Sequence, residues 1–160
     1  MKLGTKKDRK EADSVKLGTW LVTVLLAASL AHGGGSVEVK NPWARTAPRG
    51  GNSAVYMEIH NTAPHADRLV AAGTDVAEAV ELHQSRMEGG MHRMHKVGSI
   101  EVPAHGKVDL RPGGLHIMLI RLNTPLRVGD RFPLLLRFER AGRLTVEVVV
   151  REQAAGGEHR

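Results

Sequence analysis

The residue types best suited to chemistry in this sequence are histidine and methionine, and they are concentrated in two places. Residues 83–95 hold three of each around a Gly-Gly pair: His83, Met87, Met91, His92, Met94 and His95. Farther along, the apolar run LHIMLI (115–120) contains His116 and Met118. Interleaved imidazole and thioether groups predict a site for a soft metal ion, because thioether sulfur suits Cu(I), whereas Mg²⁺ and Ca²⁺ prefer oxygen ligands.

Taken separately, these residues also fit simpler roles in a protein core or at a protein surface. His116 and Met118 are two apart, so they share one face of a strand. Even so, Met118 could fill a gap in the core and His116 could be a hydrogen-bonded core histidine. The methionines near the Gly-Gly pair could form a flexible apolar surface for a partner. That interpretation leaves the interleaved histidines unexplained, and Met87, Met91 and His92 stay open as auxiliary ligands.

Composition argues against several classes of protein. The chain has no cysteine, which removes thiolate ligands, disulfides and a blue-copper electron-transfer site. We expect the carboxylates to be scattered rather than paired with the His/Met cluster, and no nucleophile motif such as G-x-S-x-G occurs, so an enzyme is not predicted. Aromatic residues make up 3%, and half of the net charge of +6 falls within residues 1–31. Neither property favours binding to nucleic acid.

The beginning of the chain predicts export. Residues 17–31 (LGTWLVTVLLAASLA) are uncharged and mostly apolar and follow a basic segment. Residues 1–31 are therefore a signal peptide, with cleavage before His32, or an uncleaved membrane anchor. We expect a periplasmic or other extracytoplasmic protein that meets a membrane only through that segment. Residues 32–36 are a predicted flexible linker, and residues 152–160 a predicted disordered tail.

The residues between linker and tail, 37–151, predict one all-β domain. Short extended runs alternate in polarity and are separated by Gly, Pro and Asn-rich turns, as in a β-sandwich. In SAVYMEIH (53–60), for example, the residues Val55, Met57 and Ile59 share one face. Glu88-Gly89-Gly90 predicts a hairpin tip, and no helical apolar stripe of useful length follows residue 36.

Four of the histidines and methionines stand at a spacing that resembles a family signature. The pattern H-x10-M-x21-H-x-M, which consists of His83, Met94, His116 and Met118, is similar to that of the PCuAC family of periplasmic copper chaperones. The similarity extends to GGNSAVYMEIHNT (50–62), AVELH (79–83), GGMHRMHKVGSIEVPA (89–104), LRPGGLHIMLIRLNTPLRVGD (110–130) and LRFERAGRLTVEVVV (136–150). One departure is Gln84, where many members place a methionine.

The resemblance implies both a fold and a function. The fold would be a cupredoxin-like Greek-key β-sandwich that binds one Cu(I) per chain through the four residues of the signature. The function would be delivery of copper to the copper A domain of cytochrome c oxidase subunit II, with other copper-assembly factors as further partners. Two alternatives remain: an extracytoplasmic copper buffer or resistance protein that sequesters Cu(I) without delivering it, and an adhesion module with a Met-lined interface.

Overall fold

The computed structural model describes residues 36–152, which contain ten β-strands and no helix. The strands are β1 (Val37–Arg45), β2 (Ser53–Asn61), β3 (Asp67–Gly73), β4 (Ala77–Glu88), β5 (Met91–Lys96), β6 (Ile100–Val102), β7 (Gly106–Leu110), β8 (Leu115–Leu122), β9 (Arg131–Phe138) and β10 (Arg143–Arg151). The all-β class predicted from the sequence is confirmed. None of the described residues forms a helix that could span a membrane. The predicted export segment, nearly all of the linker and all but the first residue of the tail lie outside the described residues.

The strands pair in the order β5-β4-β8-β2-β1-β10-β9-β3-β6, and β7 also pairs with β2. All pairings are antiparallel except that of β1 with β10. The sheet curls back on itself, since β3 contacts β4 and β6 contacts β7. It therefore encloses a single apolar core, as in a sandwich of two layers.

Strand β8 has one face in that core and one face turned away from it. Ile117 and Leu119 are fully buried in the core cluster. Burying an aliphatic side chain of this size contributes roughly 1.5–3 kcal/mol. Because side chains alternate along a strand, His116 and Met118 lie on the opposite, outer face. Burial of the inner face thus fixes the position of strand β8, and with it the positions of His116 and Met118.

The β4–β5 hairpin turns at the Gly-Gly pair, as the sequence predicts. Gly89 and Gly90 have φ angles of 58° and 78°, and Glu88 and Met91 pair on either side of them. A two-residue turn with positive φ at both positions suits glycine, which has no Cβ to clash. All six residues of β5 are exposed. The hairpin therefore projects from the sandwich as its edge.

A bulge in β1 supports the outer face next to β8. The register of β1 against β2 shifts between Lys40 and Trp43, and Asn41 at this point has a φ of 51°. Beyond the bulge, Trp43 packs on Tyr56 of β2 with ring centroids 4.7 Å apart. The ring of Tyr56 in turn lies 6.3 Å from that of His116. A row of rings thus crosses the outer face toward β8.

Candidate metal centre

Two histidines from different strands face each other at the end of this row. His83 of β4 lies directly opposite His116 of β8, and their ring centroids are 5.8 Å apart. His116 is 3% exposed, and the side chain of His83 is 16% exposed. Thirty-two residues separate the two in sequence, so it is the β4–β8 pairing that brings them together.

The ring of His116 is held in one tautomer by the turn that precedes β8. Its Nδ1 lies 2.9 Å from the carbonyl oxygen of Gly114 and must donate to it, because a carbonyl only accepts. The same carbonyl accepts the backbone N–H of Ser85 at 3.0 Å. Burial lowers the pKa of His116, opposed by the Gly114 hydrogen bond, and the nearby His83 lowers it further. The ring is therefore neutral near pH 7, with the lone pair of Nε2 available.

The ring of His83 is held in the other tautomer by a carboxylate. Its Nε2 donates to Oε2 of Glu81 at 2.9 Å, and Oε1 of Glu81 accepts from Nζ of Lys96 at 2.7 Å. The hydrogen bond from Lys96, and then that from His83, lower the pKa of Glu81. In the neutral ring, a proton on Nε2 leaves Nδ1 with its lone pair. That Nδ1 is buried and has no hydrogen-bond partner within the described chain.

An unpartnered buried nitrogen beside a second oriented imidazole fits a metal ligand. Buried polar atoms without a partner are rare and costly, and a metal-ligating histidine typically donates its other N–H to a carboxylate or a carbonyl. Each of the two histidines donates its other N–H in this way, His83 to the carboxylate of Glu81 and His116 to the carbonyl of Gly114. The residues present therefore fit a bound metal ion.

The two methionines of the sequence signature lie on the same face as the histidines. Met118 follows His116 by one strand repeat and is half-buried, and Met94 of β5 lies opposite Ser85 of β4 and is 60% exposed. Met94, His116 and Met118 together line an open cavity of about 230 Å³. His83 does not line this cavity, but its ring lies 5.8 Å from that of His116, which does.

The available donors are thus two imidazole nitrogens and two thioether sulfurs, all uncharged. Within residues 36–152, no group of three or more His, Cys, Asp or Glu side chains is arranged to hold a metal ion. A mixed nitrogen and thioether donor set suits Cu(I) better than it suits harder divalent ions. Met94 is exposed and the cavity is open, so solvent has access to the space between these donors.

The expectation that carboxylates stand apart from the His/Met cluster is wrong. Glu81 bonds to His83, and Glu88 lies 3.0 Å from Nε2 of His95. Glu81 stands two residues before His83, so the period of a strand would have placed both on one face. Glu88 and His95 come from different strands and meet only once the hairpin register is known.

The remaining histidines and methionines of the hairpin divide between its two faces. Met87 lies opposite His92 on the face that carries His83 and Met94. Met91 and His95 alternate onto the other face. His65 and His105 are exposed and lie in loops rather than in a strand.

Comparison with known proteins identifies the family to which this domain is similar. A sequence model of a family described as "LpqE-like: Putative lipoprotein LpqE-like" matches residues 37–150. The "Putative lipoprotein Lxx21020" of Leifsonia xyli subsp. xyli is 30% identical over 124 residues, which are 77% of this chain and 74% of that protein.

Two solved structures share the fold at more than a quarter sequence identity. The "Copper-bound PCuAC domain from PmoF2" is 26% identical with a TM-score of 0.64, over 74% of this chain and 95% of that domain. The solution structure of "CuI-DR1885" from Deinococcus radiodurans is 29% identical with a TM-score of 0.58, over 76% of this chain and 84% of that one. The resemblance to PCuAC domains inferred from the sequence is confirmed, and with it the sandwich fold.

Proposed function

This chain belongs to the LpqE-like family and has the PCuAC fold, and from that premise we propose that it is a non-enzymatic Cu(I) metallochaperone of the cell envelope. Copper is its cargo, one ion per chain. The ligands are His83, Met94, His116 and Met118. The observation that carries the proposal is the buried Nδ1 of His83, which has no hydrogen-bond partner among residues 36–152 and whose ring faces that of His116.

The sequence and the relatives support export to the cell envelope. The family and the Leifsonia relative are both described as lipoproteins, which supports an envelope-associated protein. Residues 1–31 would direct export, as signal peptide or anchor. In an oxidising compartment a site without thiolates avoids loss of its ligands to disulfides.

The ligand set suits a protein that gives its metal away. Four neutral ligands leave the bound Cu(I) with its single positive charge, whereas anionic cysteine thiolates on an acceptor are softer and bind it more strongly. Transfer to a thiolate site is therefore downhill. The acceptor we propose is the copper A domain of cytochrome c oxidase subunit II, with other copper-assembly factors as further partners.

Binding is tested by anaerobic competition for Cu(I) between the full chain and a chromophoric chelator. We expect one tightly bound Cu(I), and weaker binding in His83→Ala, His116→Ala and Met118→Ala. A matched control is His60→Ala, since His60 bonds to Glu58 two residues before it much as His83 bonds to Glu81, but faces Glu38 and Lys107 across the sheet. Copper binding that is equally weak in His60→Ala, or absent from the parent chain, would contradict the proposal.

Delivery is tested separately from binding. The loaded chain is mixed with the apo copper A domain, and the metal in each protein is measured after separation. We expect copper on the acceptor. If binding is tight but copper stays on this chain, the protein is a buffer that sequesters Cu(I), and the chaperone proposal fails while the site remains.

A further inference from the structure

The face that carries the proposed copper ligands continues along the β4–β5 hairpin beyond them. Every second pair across these strands lies on this face, and these pairs are His83 with Lys96, Ser85 with Met94, and Met87 with His92. Side chains directly opposite each other in an antiparallel pair share a face, and so do residues two apart on one strand. Met87 and His92 therefore lie in line with the site, one step farther toward the hairpin tip than Met94.

The spacing along this line suits hand-over of an ion from one pair to the next. Two residues of a strand advance about 6.6 Å, so Met94 lies about one such step from His83, and the Met87–His92 pair about two. Opposite residues have Cβ atoms about 5 Å apart, which lets a thioether and an imidazole reach one ion between them. Met94 lies between His83 and the Met87–His92 pair, so its sulfur can bind an ion at either position.

Exposure of the thioethers indicates a role outside the core. Met87 and Met94 are each 60% exposed, and Met91 is 58% exposed. Among the described residues, five large apolar side chains are exposed: these three methionines, Val128 and Leu135. Exposed methionines gain little from burial, but they leave their sulfur atoms open to a soft ion.

The opposite face of the same hairpin offers an internal comparison. It carries Met91 and His95, with the same residue types and similar exposure. There the imidazole of His95 bonds to the carboxylate of Glu88, and Met91 lies opposite Glu88 rather than opposite a histidine. Only the face of the proposed site pairs a thioether directly with an imidazole.

We propose that Met87 and His92 form an outer Cu(I)-binding pair through which the ion enters and leaves the inner site of His83, Met94, His116 and Met118. This inference rests on the proposed function. Two ligands bind more weakly than four, so the outer pair holds the ion only in passage. In each step one copper–ligand bond forms as another breaks, and the ion stays Cu(I) throughout, with no electron or proton transferred.

The test is NMR of the full chain with ¹³C-methyl methionine and ¹⁵N-histidine, titrated anaerobically with Cu(I). The first equivalent should shift the signals of the inner residues, and the second those of Met87 and His92. In Met87→Ala/His92→Ala, the second set of shifts should vanish and the first remain. The matched control, Met91→Ala/His95→Ala, should keep both.

Passage is measured with the same variants by stopped-flow transfer of one Cu(I) from the loaded chain to the apo copper A domain. We expect Met87→Ala/His92→Ala to slow transfer about tenfold, which is a barrier about 1.4 kcal/mol higher. The Met91→Ala/His95→Ala control should transfer at the parent rate.

Three results would overturn the inference: no shift at Met87 and His92, equal shifts on both faces of the hairpin, or equal transfer rates in the two double variants. Failure of the proposed function is distinguishable from these results. It would appear as a first equivalent that leaves His116 and Met118 unshifted in the parent chain, whatever happens at the hairpin.

Discussion

Glu81 orients His83, and its replacement by glutamine should weaken copper binding although Glu81 is not a ligand. The carboxylate accepts from Nε2 of His83 at 2.9 Å and from Lys96 at 2.7 Å, one oxygen for each. Glutamine has only one acceptor oxygen, and Lys96 competes for it. The amide NH₂ would then face His83, make Nε2 the acceptor and put the ring proton on Nδ1. That proton would block the nitrogen that the structure leaves free.

The size of the effect follows from the position of Glu81 behind the ligand. Loss of a partner that orients a metal-binding histidine lowers metal affinity about 10–100-fold. The side chain of Glu81 is 26% exposed, so water can replace part of its hydrogen bonding. We therefore expect Glu81→Gln to weaken Cu(I) binding by about tenfold, at the lower end of that range.

The assay is chelator competition, combined with ¹⁵N NMR of the His83 ring in the metal-free chain. The parent ring should show a protonated Nε2 and a bare Nδ1, and the variant a shift of the proton to Nδ1. Glu58→Gln is the matched control, since Glu58 accepts from His60 at 3.1 Å and lies 3.8 Å from Lys107. Parent-like affinity and an unchanged tautomer in Glu81→Gln would show that Glu81 does not orient His83.

Three further predictions concern acid, the thioether and the fold. Cu(I) affinity should fall as pH drops, by up to about tenfold per pH unit for each ring that must lose a proton. Because burial lowers the pKa of His116, the contribution of His116 to Cu(I) binding should persist below the ordinary value near 6.5. A pH-independent affinity from 8 to 5 would argue against histidine ligation. Met118→Leu should reduce Cu(I) affinity in the competition assay. It should change the free energy of unfolding by less than about 1.5 kcal/mol, since the two side chains have similar volume. Unchanged affinity would remove Met118 from the ligand set. Asp67 is buried and accepts from the backbone N–H groups of Arg68, Arg140 and Ala141 at 2.7–2.9 Å; Asp67→Asn should cost about 2 kcal/mol in urea unfolding at pH 7. Burial raises the pKa of Asp67, but the three N–H donors outweigh it and the pKa is lowered overall. The contribution of Asp67 to stability should therefore be complete above its ordinary pKa of about 3.9 and disappear only as pH falls through the lower folded value. A difference in unfolding free energy between parent and variant that already shrinks at pH 6 would contradict this.

Local patterns in the sequence were sufficient for most strands and for the faces of the central ones. Alternation predicts that Val55, Met57 and Ile59 share one face of a strand, and the structure buries that face in the core. The Gly-Gly pair located the hairpin tip because few other residues adopt positive φ at two successive positions. Alternation does not single out strand β1, since Asn41 and Pro42 interrupt it with a bulge.

Relations between distant strands were beyond those patterns. The pairing of His83 with His116 depends on the order β4-β8 in the sheet, which local alternation does not encode. The four residues of the signature are candidate ligands only through resemblance to a family. Glu81 stands one strand repeat before His83, but the His/Met pattern does not include it, because a carboxylate that bonds to a histidine is not part of that pattern.

Four neutral side chains on one sheet face should bind a single Cu(I). X-ray absorption of the full chain loaded with one equivalent of Cu(I) tests this directly. We expect a first shell of two nitrogen and two sulfur atoms. One sulfur should be lost in Met118→Leu, and one nitrogen in His83→Ala. A shell of nitrogen and oxygen alone, or a spectrum that neither substitution alters, would contradict this ligand set.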